Sequence, residues 1–204
     1  NLYLGGIIGK LWIWDRDATV KNCASYSSVT HAGSASSVYV GGIVGCIDSQ
    51  SSNKAHVQNC LNCGTITSKG PTESSLYAGG IIGYVRDACL VNCVGAGEMI
   101  TSTKGTIGSI TGRTDYWSTE IVNWYWSDII NTNDTQGAKF DKASFELSRS
   151  VYVGSYTGTS LIDALNAFID ENSVYDTYSP WLLNKNGKKV SFTFSGRENS
   201  LVLN

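Results

Sequence analysis

The chain has 204 residues, of which 16% are charged, and a formal net charge of −2. That length allows one or two domains with a sizeable core, and the sparse, balanced charge excludes the basic stripe of a nucleic-acid binder. No apolar run approaches the roughly 18 residues of a membrane-spanning helix, so direct membrane insertion is not expected of this stretch.

Only two prolines and one methionine accompany 22 glycines. Such usage suits strands and tight turns better than helices. The chain opens inside a repeat, without Met and without a secretory leader, as expected for a piece of a longer protein.

The first element is GGIIGK at 5–10. A Gly-rich run ending in Lys suggests a phosphate loop, whose backbone N–H groups close on a phosphate. The spacing is wrong: three residues separate Gly5 from Gly9, and Leu11 follows Lys10. The run also returns without its Lys, as GGIVGC at 41–46, GGIIGY at 79–84 and a worn GSITGR at 108–113. Four uses in one chain read as architecture.

A second anchor follows each: VKNCASYSSVT from Val20, VQNCLNCGTIT from Val57, LVNCVGAGEMI from Leu90 and IVNWYWSDII from Ile121. The columns are Gly5, Gly41, Gly79; Gly9, Gly45, Gly83; Asn22, Asn59, Asn92, Asn123; and Cys23, Cys60, Cys93, then Trp124. Tyr3, Tyr39 and Tyr77 precede the glycines. Each repeat offers two or three β-rich runs broken by Gly, Ser, Asn or Asp. One unit cannot bury its own strands, but stacked units make a continuous core of like on like. The Asn column then becomes a buried hydrogen-bonded ladder. Length differences fall in two loops, the first carrying KLWIWDRDA, CIDSQSSNKA, YVRDA and RTDYWST.

GGIVG, a loop, V-x-N-C and then CGTIT, in register three times, resembles the GLUG repeat of large surface proteins and adhesins of bacteria and some protists. The resemblance covers roughly residues 2–130. It implies a mainly β chain, a right-handed parallel β-helix-like solenoid of about four repeats at 1–130, and a cell-surface role. The fourth repeat departs from the pattern and reads as a terminal cap.

Residues 131–204 are expected to hold a linker and a small C-terminal module. NTNDTQGAKFDKAS reads as a polar linker. Leu161, Leu165, Phe168 and Ile169 give one helical face, with Thr159 or Ser160 as its cap. WLLNKNGKKVSFTF reads as a hairpin turning at Asn186-Gly187. The SLIDALNAFID and W…NG…V segments resemble the module that follows GLUG blocks, so a small α/β C-terminal cap or inter-block spacer is expected.

Six cysteines include CLNC at 60–63. Zinc would need a second such pair or His ligands at knuckle spacing, and the repeat register explains Cys23, Cys60 and Cys93 as a ladder of buried thiols. No metal or cofactor is expected. Asp15, Asp17, Asp48, Asp87 and Asp115 lie in the first loop set, and clustered carboxylates serve polysaccharide-cleaving enzymes. Asp is also an ordinary turn residue. Trp12, Trp14, Trp117, Trp124, Tyr125 and Trp126 fall at the two ends of the stack. They suit either end caps or contact with a sugar or protein.

The binding candidates are therefore Trp12, Trp14, Trp117, Tyr125, Trp126, Asp48 and Asp87. The expected function is non-enzymatic: adhesion, or a rigid extracellular spacer, at the cell surface or secreted. The expected partner is a host or neighbouring-cell glycan or protein. An unpaired stack end also invites end-to-end self-association. The alternatives are a polysaccharide-acting β-helix enzyme and an intracellular structural or filament-associated protein.

Overall fold

A computed structural model describes residues 1–50, 52–68, 75–101, 105–115, 120–122, 125–127, 138–140, 151–153, 156–158, 161–172, 178–186 and 189–194. The fold is mainly β, with parallel sheets and one described helix. That helix is too short to cross a membrane.

The first repeat forms β1 (Leu2–Gly5), β2 (Ile8–Ile13), β3 (Ala18–Lys21), β4 (Ala24–Ser25) and β5 (Val29–His31). The second forms β6 (Val38–Gly41), β7 (Val44–Ser49), β8 (Ala55–Gln58), β9 (Leu61–Asn62) and β10 (Ile66–Ser68). The third forms β11 (Leu76–Gly79), β12 (Ile82–Arg86), β13 (Ala88–Val91), β14 (Val94–Gly95) and β15 (Met99–Thr101). The fourth contributes β16 (Thr106–Gly108), β17 (Thr111–Asp115), β18 (Glu120–Val122) and β19 (Tyr125–Ser127).

Each strand pairs in parallel with its counterpart one repeat away, so five parallel sheets run across the repeats. The register follows the sequence columns: Tyr3 opposes Tyr39, Ile8 opposes Val44, and Val20 opposes Val57. The complete repeats thus hold five strands rather than two or three. Two-residue strands such as β4 and β9 are too short to show an alternating pattern, and parallel pairing to a neighbour defines them. Three of the first loops are also largely strand. β2, β7 and β12 run on to Ile13, Ser49 and Arg86.

Inside lies one apolar core. Val40, Ile43, Val44, Ile47, Val57, Ile66, Ile81, Ile82, Leu90 and Ile110 are fully buried. The glycine pairs mark a bend where backbone meets backbone: a Cβ at Gly41 would overlap the carbonyl oxygen of Val44.

Part of the expected linker is a strand. β20 (Ala138–Phe140) pairs in parallel with β19 and so satisfies its open edge. Next come a hairpin of β21 (Val151–Val153) and β22 (Tyr156–Gly158), α1 (Leu161–Asn172), and a hairpin of β23 (Trp181–Asn186) and β24 (Lys189–Phe194). Asn186 still pairs with Lys189, so it closes β23 where it was expected to open the turn. The expected helix cap at 159–160 lies outside the described residues.

The described part of the C-terminal segment sits on the flank of the stack, where an end cap was expected. Ala164, Leu165, Ile169 and Trp181 form a second core with Leu61, Val94 and Tyr125. Those three belong to β9, β14 and β19, from three successive repeats. The outer face of the fourth sheet is apolar, and α1 covers it.

Candidate binding face and the asparagine corner

Successive side chains of a strand point to opposite faces. In β2 this sends Leu11 and Ile13 inward and Lys10 and Trp12 outward. The parallel register then builds two outward columns. One is Lys10, Cys46, Tyr84, Arg113; the other is Trp12, Asp48, Arg86, Asp115.

The second column is ionic. Asp48 accepts from Lys10 Nζ at 3.2 Å, Arg86 Nη1 at 3.2 Å and Gln50 Nε2 at 2.7 Å. Asp115 accepts from the Tyr84 hydroxyl at 2.5 Å and Arg113 Nε at 3.2 Å, with Arg86 Nη2 at 3.7 Å. The Tyr84 hydrogen bond and the neighbouring guanidinium groups hold the Asp115 carboxyl below its ordinary range. Desolvation, and then the Asp115 carboxylate, push the Tyr84 hydroxyl up to about 12.

Beside this network the tyrosines stack. Tyr3 and Tyr39 have ring centroids 5.2 Å apart, and Tyr39 and Tyr77 5.5 Å. Lys10 Nζ lies 4.9 Å from the Tyr3 ring centroid, and Arg113 lies 5.1 Å from that of Tyr77 and hydrogen-bonds its hydroxyl at 2.7 Å. The ring faces are thus taken by neighbours.

Trp12 and Trp14 are each 67% exposed. They do not cover the core end, as the capping expectation required. The buried residue between them is Ile13; strand alternation turns Trp12 out, and Trp14 follows just past the end of β2. Lys10 Nζ stands 5.3 Å from the Trp12 ring centroid. Tyr125 is corrected in the opposite sense. It is fully buried against α1 and Trp181, so it is a core residue with no surface to offer a ligand. Trp117, Trp124 and Asn123 lie outside the described residues. Trp126 is placed only by its pairing with Gly95 and Lys139.

Asp87 does not join the ionic column. It turns the corner after β12 with φ 56° and faces Lys54 Nζ at 3.6 Å. Asp17 accepts from the Lys54 backbone N–H at 2.7 Å, with His56 Nε2 at 3.7 Å. The carboxylates expected to cluster are thus divided between two places. Among the described residues, no group of three or more His, Cys, Asp or Glu has metal-binding geometry.

The Asn–Cys dipeptide sets the corner between the third and fourth sheets. Asn22, Asn59 and Asn92 have φ of 55°, 53° and 55°, a left-handed conformation that Asn tolerates better than most residues. The turn sends each Cys inward and each Asn outward. Asn59 Nδ2 donates to Asn22 Oδ1, and Asn92 Nδ2 to Asn59 Oδ1, both at 2.8 Å.

The C-terminal segment reads this ladder. Ser179 N donates to Asn22 Oδ1 at 3.0 Å, Asn59 Nδ2 to the Ser179 carbonyl at 2.8 Å, and Trp181 Nε1 to Asn59 Oδ1 at 2.5 Å. Asn92 Nδ2 reaches the Leu165 carbonyl at 3.3 Å. Asn166 of α1 holds the Trp181 backbone at both N–H and C=O, at 2.7 and 2.9 Å. Sequence reasoning found the Asn column and the helix separately. The joining signal was present only as a Trp and an apolar helix with no partner named.

Comparison with protein-family models, with curated proteins and with solved structures finds no match for this chain.

Proposed function

We propose that the chain is a right-handed, parallel β-helix-like solenoid of about four repeats, divided at about residue 130 from a small α/β module. Its role is that of a non-enzymatic repeat region of a large cell-surface or secreted protein, as the likeness to GLUG repeats implies. It works by adhesion. Residues 1–130 form a stiff support, and the outward columns of the second sheet, with the exposed indoles of Trp12 and Trp14, contact a glycan or protein of a host or neighbouring cell.

The observation that carries this reading is the alignment of Trp12, Asp48, Arg86 and Asp115 in one column of the second sheet, with the exposed indoles of Trp12 and Trp14 at its edge. Contacts repeated at strand spacing add by avidity.

A binding screen of the purified chain against glycans and matrix proteins tests it. The Trp12→Ala/Trp14→Ala and Asp48→Ala variants run alongside wild type. Saturable binding that weakens tenfold or more in either variant supports adhesion through this face. Binding to nothing in the screen removes the adhesion reading. Depolymerisation of a glycan by wild type but not by Asp48→Ala overturns the non-enzymatic one.

A further inference from the structure

Cys23, Cys60 and Cys93 stand in file across three repeats, and all three are free thiols. Backbone bonds fix their alignment: Leu61 N donates to the Cys23 carbonyl at 2.9 Å, and Val94 N to the Cys60 carbonyl at 2.8 Å. Each thiol donates to the carbonyl two residues before it, Cys23 to Lys21 at 3.3 Å, Cys60 to Gln58 at 3.2 Å and Cys93 to Val91 at 3.3 Å. Cys60 and Cys93 also reach back one repeat, to the Val20 and Val57 carbonyls at 3.6 and 3.4 Å. Neighbouring strands lie about 4.8 Å apart, inside the roughly 4.4–6.8 Å Cα window of a disulfide. The three differ in access. Cys60 and Cys93 are fully buried, while Cys23 is partly exposed.

We propose that Cys23 and Cys60 are an oxidation site, at which a hydroperoxide closes a covalent staple between the first and second repeats. The Cys23 thiolate attacks one peroxide oxygen. The O–O bond breaks, leaving a sulfenic acid on Cys23 and, after protonation, one water. The Cys60 sulfur then attacks the Cys23 sulfur. The S–O bond breaks, the departing oxygen leaves as a second water with the Cys60 proton, and the S–S bond forms. Two thiols are oxidised and one peroxide is reduced. Cys93 is left out, because the middle sulfur bonds only once and the oxidant enters from the Cys23 side.

The Cys60 thiol alongside and burial hold Cys23 protonated well above the ordinary thiol range. Only the thiolate attacks, so the staple closes slowly and faster as pH rises. It suits lasting residence in an oxidising medium rather than rapid signalling.

The test exposes the folded chain to hydrogen peroxide, alkylates the remaining thiols after denaturation, and maps the peptides by mass spectrometry. The expected result is a Cys23–Cys60 cross-link with Cys93 alkylated. The staple closes a long loop, so Tm should rise by about 5–10 °C, reversed by reductant. Cys23→Ala should leave Cys60 and Cys93 reduced, and Cys60→Ala should leave a Cys23 sulfenic acid that dimedone labels. A Cys60–Cys93 cross-link as the main product, an intermolecular disulfide, or Cys60 oxidised as fast in Cys23→Ala each overturns the proposal.

Discussion

At the scale of single residues the Asn–Cys pair carries most of the local information. Asn59 bends the chain left-handedly, extends the ladder in both directions and receives the Trp181 indole. Asn59→Ala loses those hydrogen bonds in a buried site and puts a Cβ at positive φ. It should destabilise the chain by about 3 kcal/mol in urea unfolding. Asn59→Gly loses the same bonds without the backbone strain, so it should be milder by about 1 kcal/mol. Equal cost for the two would mean that the left-handed turn is not what selects Asn.

Asp115 makes a pH prediction. Its folded pKa is depressed, by the Tyr84 hydrogen bond first and then by Arg113 and Arg86. The stability it contributes is therefore present above the ordinary carboxylate pKa and lost as pH falls through the folded value. Below about pH 4 wild type should lose more Tm than Asp115→Asn does. Parallel Tm curves for the two from pH 6 to 3 would remove Asp115 from the acid response.

At the scale of elements, what was legible depended on pattern length. The Gly, Tyr, Asn and Cys columns repeat whole, so pairing register could be read from sequence. The two-residue strands could not, because parallel pairing alone makes them strands. The hairpin at 151–158 has a similarly short signal. The site was less legible than the fold. Trp12 and Trp14 read equally as caps of the stack end or as ligand contacts, and their exposure on either side of buried Ile13 removes the first of these. Tyr125 read as an end cap or a ligand contact, because α1 is remote in sequence. Its burial depends on Leu165, Ile169 and Trp181 arriving from 40 or more residues away.

That docking is testable by itself. Trp181→Ala removes a fully buried indole and its bond to Asn59, a loss of about 3–5 kcal/mol where it acts. Hydrogen exchange should show α1 losing protection while β7 and β12 keep theirs. Equal loss in all three would show that the C-terminal segment and the stack unfold as one unit.

At the scale of the whole molecule, two kinds of order meet. The stack pairs each strand with its counterpart one repeat away, and a one-dimensional array of that kind is expected to tolerate removal or addition of a repeat. The C-terminal segment is not of that kind. It touches Asn22, Asn59 and Asn92 together, so it measures three repeats at once. Deleting residues 41–78 separates these properties. Val40 would join Gly79, and since Val40 already occupies the register position of Ala78, every column continues unbroken. The remaining repeats should fold with the same strand signal in far-ultraviolet circular dichroism and somewhat lower Tm. The Asn ladder, however, would have two rungs beneath a segment shaped for three. The helix should then exchange its amide hydrogens at least tenfold faster than in the full chain, while β12 stays protected. Loss of cooperative unfolding in the deletion would overturn the one-dimensional description. A helix as protected as before would overturn the three-rung match, and would mean that Trp181 and Asn166 alone hold it to the stack.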